Sequence, residues 1–414
     1  MSIDTEQITE ISGGVTSAQG FMASSCEAGI KYQNRKDMAL VYSEKPAVVG
    51  GTFTTNVVKA SPVYWDMDLV KNEPVSQAVV LNSGIANAVT GTVGDALNEA
   101  MAEAVAKALG IPTRQVLTAS TGVIGMQLVK EKFEKGALLL KQNLSDTIQA
   151  GTGAAEAIMT TDTISKEAAV EIMLDGKKVT IGGMSKGSGM IHPNMATMLS
   201  VVTTDAAISK ELLQKAVSEN VADSFNMISV DRDTSTNDTF LALANGAAGN
   251  AEITSENEDY ALFKAALLQV MTKLAKTMAA DGEGATKLFE MTVLHTATKE
   301  EAKSLAKSVI TSNLVKTAVY GSDANWGRIF CAMGYAGVEF DPDTVDLYIE
   351  STAGKLKLVE NGMATDYSEE TATEILAQSA VTATADMKAG EASATAWGCD
   401  LTYDYVKING DYRS

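Results

Sequence analysis

The segment Val170–Ile181, VEIMLDGKKVTI, has the pattern of two strands joined by a tight turn. Its Asp175-Gly176 pair favours a type I′ turn, because both residue types tolerate the positive φ that this turn requires. Residues 344–349 and 356–359 show a second hairpin pattern. Because hairpins join antiparallel strands, the sequence predicts a mixed α/β fold of the α+β class with substantial antiparallel pairing.

Outside the hairpins, helical and strand patterns alternate along the chain. Helices are predicted to begin at Asp95 and at Ser209, and residues 298–301 form a capping-box pattern. The longest predicted helix covers about 260–280, where apolar residues recur at helical spacing. Residues 77–82 have a continuous apolar centre that favours a buried strand. The sequence contains no repeat, no low-complexity segment and no evident flexible linker.

Composition excludes several functional classes. The 414 residues include 33 Lys and Arg against 52 Asp and Glu, a formal net charge of −19, which argues against nucleic-acid binding and a polybasic membrane anchor. Two histidines and three widely spaced cysteines are too few for a His-rich zinc site, a disulfide framework or a CxxC site. With neither a signal-peptide pattern nor a membrane-spanning apolar run, we expect a protein of a reducing compartment, the cytoplasm.

The segment 182–198, GGMSKGSGMIHPNMATM, is the first candidate for chemistry. Its glycines allow close approach of the backbone to a ligand and positive φ angles. It is not a Walker phosphate loop, because Lys186 precedes Gly187 and the order glycine, lysine, hydroxyl is absent. Glycine content alone favours a mobile surface loop here.

Three further segments combine polar groups with turn signals. Residues 117–125, LTASTGVIG, can present a hydroxyl and a backbone N–H at a strand end, the two donors that an oxyanion hole needs. Residues 281–286, DGEGAT, fit a helix stop from which Glu283 points into a site. Residues 229–238 lack the glycine and glutamate of an EF-hand loop, so we reject calcium binding. Turns and helix ends remain the ordinary interpretation of each segment.

Taken together, these segments resemble the ornithine acetyltransferases, also called bifunctional glutamate N-acetyltransferases, of the arginine pathway. The resemblance runs nearly end to end. It covers GTFTTN (51–56) with Val58 and Lys59, NSGIANA (82–88), STGVIG (120–125), MTTDT (159–163), KGSGMI (186–191), PNMATML (193–199), DGEGAT (281–286) and NGDYRS (409–414). Two departures are Ile85, where the family commonly has asparagine, and Ser414, which keeps a hydroxyl where threonine is frequent.

The resemblance implies a layered sandwich of helices and largely antiparallel sheets in a chain that cuts itself. The family cleaves before the threonine of its Met-Ala-Thr-Met motif, here at Ala196–Thr197. Residues 1–196 then form an α piece and 197–414 a β piece. The free amine of Thr197, with an ordinary pKa of about 7.7–8.0, suits a base for its own hydroxyl. We expect one intertwined catalytic unit, and two such units in an α2β2 assembly.

By the same resemblance, Thr197 is the nucleophile and, through its amine, the base, while Thr121 and Gly122 form the oxyanion hole. The implied reaction moves the acetyl group of N-acetylornithine to glutamate through an acetyl-Thr197 intermediate. The implied substrate-binding residues share groups that recognise an amino acid: Thr160, Lys186, Thr197, Glu283, Asn409 and Ser414. No metal and no organic cofactor are implied. His192, close before Thr197, is an alternative base, although the amine already fills that role.

Other interpretations remain open at this stage. An aminopeptidase or amidase with an N-terminal nucleophile would pass the acyl group to water instead of glutamate. A non-catalytic binding protein would keep the pockets but neither cleave itself nor transfer acetyl groups. Within the resembled family, the residues do not decide whether acetyl-CoA also serves as an acetyl donor to glutamate.

Overall fold

A computed structural model describes residues 5–192 and 198–411. These residues divide into two compact units. Of the described residues, the first unit contains 5–187, 198–226 and 233–275, and the second contains 188–192, 227–232 and 276–411. This division differs from the predicted pieces 1–196 and 197–414, which depend on a cut in the chain and stay a prediction. Within the described residues, no helix has both the length and the apolar character that crossing a membrane requires.

Strands and helices alternate along much of the chain. The strands are β1 (Thr9–Ile11), β2 (Phe21–Cys26), β3 (Met38–Phe53), β4 (Ser76–Asn82), β5 (Val116–Ser120), β6 (Lys166–Leu174), β7 (Lys177–Lys186), β8 (Leu199–Thr204), β9 (Ile228–Ser229), β10 (Thr239–Ala244), β11 (Leu288–Thr296), β12 (Asp346–Ser351), β13 (Gly354–Glu360), β14 (Met363–Ala364), β15 (Ala380–Asp386) and β16 (Ala392–Cys399). The helices are α1 (Ser61–Asn72), α2 (Gly91–Leu109), α3 (Lys130–Gln142), α4 (Ile148–Ala157), α5 (Lys210–Val221), α6 (Glu258–Ala280), α7 (Lys299–Ile310), α8 (Asn313–Tyr320), α9 (Trp326–Gly334), α10 (Glu369–Leu376) and α11 (Tyr403–Gly410).

The first unit is built on a nine-stranded mixed sheet. Its strand order is β1-β6-β7-β8-β10-β3-β4-β5, and β2 also pairs with β3. Only β8 with β10 and β4 with β5 run parallel, and the other pairs are antiparallel. In this order, β8 and β10 lie between β7 on one side and β3 on the other. The prediction of largely antiparallel sheets is therefore confirmed for this unit.

Helices cover both faces of part of this sheet, as β4 illustrates. Its residues Val79 and Leu81 pack in one apolar cluster, which includes residues of α1 and α4. The alternate residues Ala78 and Val80 pack in a second cluster, which includes residues of α2 and α3. All four side chains are fully buried. A strand buried on both faces has a continuous apolar sequence, so the predicted strand at 77–82 and the layered arrangement are confirmed.

The second unit has its own seven-stranded sheet, in the order β14-β13-β12-β15-β11-β16-β9. The predicted hairpin at 344–349 and 356–359 is β12 and β13, which pair antiparallel. The Thr298 hydroxyl and the Glu301 side chain form the predicted capping box at the start of α7. Parallel pairs occur here between β11 and β15 and between β16 and β9, and the remaining pairs are antiparallel.

Local sequence signals were accurate at most of the predicted positions. Asp175 and Gly176 have φ of 48° and 68°, as a type I′ turn between β6 and β7 requires. Ser209 caps α5 by accepting a hydrogen bond from the Leu212 N–H. The start of α2 was predicted wrongly, because the helix begins four residues before Asp95, at Gly91. The Asp95 carboxylate instead accepts a hydrogen bond from the Ser61 hydroxyl at 2.7 Å.

Candidate active site

The predicted oxyanion residues follow the end of β5 in the first unit. The Ser120 hydroxyl donates to the Asn82 side-chain oxygen at 2.7 Å, and the Thr121 N–H donates to the Asn82 carbonyl at 3.0 Å. These bonds join the ends of the parallel strands β4 and β5. Gly122 has φ of 129°, and a Cβ placed on it would lie 2.3 Å from the carbonyl carbon of Gly84. Only glycine fits this position, both for its backbone angle and for the close approach of Gly84.

This turn leaves two donors available to a ligand. Within residues 5–192 and 198–411, neither the Thr121 hydroxyl nor the Gly122 N–H has a hydrogen-bond partner. The Thr121 side chain belongs to a residue that is only 7% exposed. A hydroxyl and a backbone N–H on adjacent residues can both donate to one ligand oxygen. The arrangement therefore has the donor types that an oxyanion hole needs.

Lys186 lies at the end of β7, where it pairs with Leu199 of β8. The residue is 3% exposed, and its Nζ donates to the Thr160 hydroxyl at 2.9 Å. The structure thus brings together two of the residues predicted to bind substrate. It also corrects the surface-loop interpretation of the glycine-rich segment, because residues 182–186 are buried strand. The small glycines at 182 and 183 allow close packing in this strand; for example, a Cβ on Gly182 would lie 2.1 Å from the Gly14 carbonyl oxygen.

Asp162 organises the charges around Lys186. Its Oδ1 accepts hydrogen bonds from the Lys166 ammonium at 2.8 Å and from the Gly187 N–H at 2.6 Å. Its Oδ2 accepts a hydrogen bond from the Thr160 N–H at 3.0 Å and lies 3.7 Å from the Lys186 Nζ.

Burial by itself raises the pKa of Asp162, but the nearby ammonium groups of Lys186 and Lys166 hold that pKa well below its ordinary value. The carboxylate is therefore ionised at neutral pH. Two ammonium groups and one carboxylate sum to a charge of +1. Such a local excess of positive charge suits the carboxylate of an amino-acid ligand.

Glu283 and Asn409 are brought together in the second unit. The Asn409 Nδ2 donates to the Glu283 Oε2 at 2.7 Å. Glu283 lies just after the end of α6. Its N–H donates to the Ser188 carbonyl at 2.8 Å. A Cβ on Gly189 would lie 2.3 Å from the Glu283 carboxyl carbon. Glycine at position 189 therefore leaves the space that the carboxylate occupies.

His192, the alternative base, is also in the second unit. Its Nδ1 lies 3.3 Å from the Ser229 hydroxyl. The preceding residue is anchored, because the Ile191 N–H donates to the Asp231 carboxylate at 2.8 Å. The predicted cleavage residues Ala196 and Thr197 and the predicted substrate residue Ser414 lie outside the described residues. Their roles stay predictions.

Sequence reasoning missed two buried carboxyl groups, Asp162 and Asp238. Asp162 belongs to the MTTDT motif, which carried part of the family resemblance, although no role was assigned to this residue. Asp238 closes the acidic segment that was considered only for calcium. Its carboxyl accepts a hydrogen bond from the Met198 N–H at 3.0 Å. A carboxylate after hydroxyl-rich or acidic residues is a weak signal by itself, and only the fold reveals these partners.

Comparison with known proteins decides the family. The model of the ArgJ family matches residues 22–414. The chain belongs to the ArgJ family. It is 53% identical over 404 residues to the arginine biosynthesis bifunctional protein ArgJ 1 of Clostridium acetobutylicum, covering 97% of both chains. It is 45% identical over 415 residues to the protein ArgJ of Bacillus subtilis, covering 100% of both.

A solved structure of the protein argJ from Bacillus halodurans is also similar, at 45% identity with a TM-score of 0.48, over 50% of this chain and 96% of that one. Membership in the ArgJ family agrees with the resemblance on which the sequence predictions rest. The chain is an acyltransferase of arginine biosynthesis that carries out acetyl transfer.

Proposed function

We propose that this member of the ArgJ family transfers the acetyl group of N-acetylornithine to glutamate, giving ornithine and N-acetylglutamate. The Thr197 hydroxyl oxygen attacks the acetyl carbonyl, the C–N bond breaks, and ornithine leaves with a proton on its amine. The amine of glutamate then attacks the acetyl ester, and the bond to the Thr197 oxygen breaks. Thr197 recovers its proton, so the enzyme is unchanged after each cycle.

The observation that carries this proposal is the turn at Thr121 and Gly122. Both half-reactions pass through a tetrahedral oxyanion, which a hydroxyl and a backbone N–H without protein partners stabilise. One such donor typically contributes about 3–4 kcal/mol to the transition state. The buried Lys186, with the local charge excess at Asp162, supports recognition of a substrate carboxylate. The Glu283 carboxylate suits a substrate ammonium, and the Asn409 amide suits orientation of the Glu283 carboxylate.

The proposal includes self-cleavage at Ala196–Thr197, which supplies the amine that acts as the base. Intact-mass measurement tests it. The 43.5 kDa chain should give pieces of about 21 and 23 kDa in proportion to their lengths, with the second starting at Thr197. Thr197→Ala should abolish cleavage and transfer, whereas Thr197→Ser keeps a hydroxyl and should still cleave. A fully active uncut chain would contradict the role of the amine.

The choice of acetyl acceptor and donor needs a separate assay. Product analysis with and without glutamate distinguishes transfer from hydrolysis by an aminopeptidase or amidase. Glutamate acetylation measured with acetyl-CoA and with N-acetylornithine decides whether acetyl-CoA is a second donor. We also propose an α2β2 assembly, for which light scattering should give about twice 43.5 kDa. The described cysteines 26, 331 and 399 are free, which supports the cytoplasmic location that we propose.

A further inference from the structure

Asn237 and Asp238 are consecutive buried residues directly before β10, and neither belongs to the predicted site. Asn237 is 6% exposed. Its Nδ2 donates to two carbonyl oxygens, that of Ala86 at 2.6 Å and that of Ser120 at 2.7 Å. Ser120 directly precedes Thr121. The amide of Asn237 therefore fixes the backbone from which the predicted oxyanion donors project.

Asp238 holds Met198, the residue that follows the predicted nucleophile Thr197 in sequence. Its Oδ1 accepts a hydrogen bond from the Met198 N–H at 3.0 Å, and the Met198 carbonyl accepts one from the Thr239 N–H at 3.0 Å. Met198 is thus bonded through both of its backbone polar groups. It directly follows Thr197, so these bonds fix the chain beside the predicted nucleophile.

The Asp238 carboxyl is fully buried, and its Oδ2 has no hydrogen-bond partner among the described residues. Burial raises the pKa of Asp238 well above its ordinary value, although the Met198 N–H, the Thr54 side chain and the Lys186 ammonium oppose this change. Asparagine keeps one oxygen in the place of Oδ1, so it should be able to accept the Met198 N–H bond in place of Asp238. A group that only accepts a backbone hydrogen bond can be replaced in this way, whereas a general base cannot.

We propose that Asn237 and Asp238 are positioning residues that fix the oxyanion donors and the nucleophile relative to each other. This inference rests on the proposed function. The two residues are neighbours in the chain, with Cα atoms about 3.8 Å apart. One holds the end of β5 and the other holds the start of β8. Reactions between fixed groups are sensitive to small displacements, and an error of about 1 Å can lower the rate about 100-fold.

The test compares Asp238→Asn with Asp238→Ala. The asparagine keeps an oxygen that accepts the Met198 N–H, so cleavage and kcat should stay within about threefold of wild type. The alanine should lower kcat about 100-fold and change KM less than about threefold, because it moves the reacting groups without removing a substrate contact. An equal loss of kcat in both variants would overturn the positioning role and indicate proton transfer by the carboxyl. Unchanged kcat in Asp238→Ala would also overturn the proposal.

Asn237→Ala carries the same expectation and serves if Asp238→Ala does not fold. Its matched control is Asn250→Ala, because Asn250 is equally buried and its Nδ2 also donates to two carbonyl oxygens, those of Ala207 and Ala251. The control for Asp238 is Asp205→Ala, at the other end of β8, whose carboxylate accepts backbone N–H bonds. Both controls should lower the melting temperature and leave the kcat of the folded enzyme unchanged.

The same assays distinguish a failure of the positioning proposal from a failure of the proposed function. Wild-type enzyme that cleaves itself and transfers acetyl groups, together with inactive Thr197→Ala, supports the proposed function whatever the variants at 237 and 238 do. If Thr197→Ala remains active, the proposed function fails. The positioning role of Asn237 and Asp238 is then overturned as well, because residue 197 is not the group that needs positioning.

Discussion

The side-chain amide of Asn409 donates a hydrogen bond to the carboxylate of Glu283, with 2.7 Å between Nδ2 and Oε2. The two residues are 126 positions apart and were each predicted to bind substrate, so their contact is a fact that only the fold provides. Asn409 lies near the end of the short helix α11, and its side chain is the link between that helix and Glu283. Loss of this link should change the orientation of the carboxylate.

We expect Asn409→Ala to raise the KM for N-acetylornithine roughly tenfold, which is about 1.4 kcal/mol, with a smaller effect on kcat. Asn409→Asp should raise KM further, because a second carboxylate beside Glu283 repels it. Steady-state kinetics measure both values. Lys407→Ala, an exposed change on the same helix, is the control and should behave like wild type. An unchanged KM in Asn409→Asp would contradict a binding role for this pair.

Gly189→Ala should weaken substrate binding by displacing Glu283. The new Cβ would lie 2.3 Å from the carboxyl carbon, far inside contact distance, so either the side chain or the backbone must move. We expect a higher KM and only a small loss of stability, because the atoms that must move are the end of the flexible Glu283 side chain. Gly334→Ala is the matched control, because its Cβ meets no atom within 4 Å. The KM values of the two variants should therefore differ clearly.

Gly122→Ala should lower kcat about 100- to 1,000-fold, the usual effect of losing one oxyanion donor, because displacement of the backbone would move the residue 122 N–H away from the oxyanion. Its Cβ would collide with the Gly84 backbone, and alanine is also strained at φ of 129°. Gly125→Ala separates these causes, since Gly125 has φ of 77° but open space around its Cβ. Single-turnover acetylation of the enzyme, measured by mass spectrometry, reports the step directly. Equal losses in both variants would assign the effect to backbone strain.

Asp162→Asn should destabilise the protein most at neutral pH. The pKa of Asp162 is lower in the folded protein than in the unfolded chain, so its ionised form contributes stability above about pH 4. That contribution is lost as the pH falls through the lower, folded-state pKa. Removing the negative charge between two buried ammonium groups should cost about 3–5 kcal/mol at pH 7.

Calorimetric melting at pH 7, 4.5 and 3 tests this dependence. The difference between wild type and Asp162→Asn should shrink as the pH falls below about 4. Asp37→Asn is a control of opposite sign, because burial raises the pKa of Asp37 despite the backbone N–H bonds that it accepts. Its effect should not grow toward neutral pH. A pH-independent difference for Asp162→Asn would show that its charge does not stabilise the folded protein.

Local features of the fold were predictable from sequence because their causes are local. The turn at Asp175-Gly176 and the cap at Ser209 depend on residues only a few positions apart. The start of α2 was missed because Asp95 is a good capping residue whose carboxylate is instead bonded to Ser61. The parallel pairing of β8 with β10 was not predictable, since it joins strands separated by α5 and more than thirty residues.

The candidate site shows the same limit. The hydroxyls and glycine at 117–125 gave only a weak local signal, and the resemblance to the family assigned the oxyanion role to Thr121 and Gly122. The sequence assigned Lys186 to a loop, although this residue is buried in a strand beside Asp162. Glycines at 182 and 183 suggested flexibility, whereas their small size serves close packing in the sheet. Residue composition alone cannot distinguish these two uses of glycine.

The position of β8 and β10 between β7 and β3 has a consequence for the order of folding and cleavage. If the chain is cut at 196–197, β8 and β10 belong to one product, while both neighbouring strands belong to the other. A ribbon of two strands made alone would have two open edges, and the remaining strands would face a gap, which favours aggregation. Folding must therefore precede cutting, and separately synthesised pieces should assemble poorly. The intact precursor acts as its own template, and the peptide bond at 196–197 is needed only until the sheet has formed.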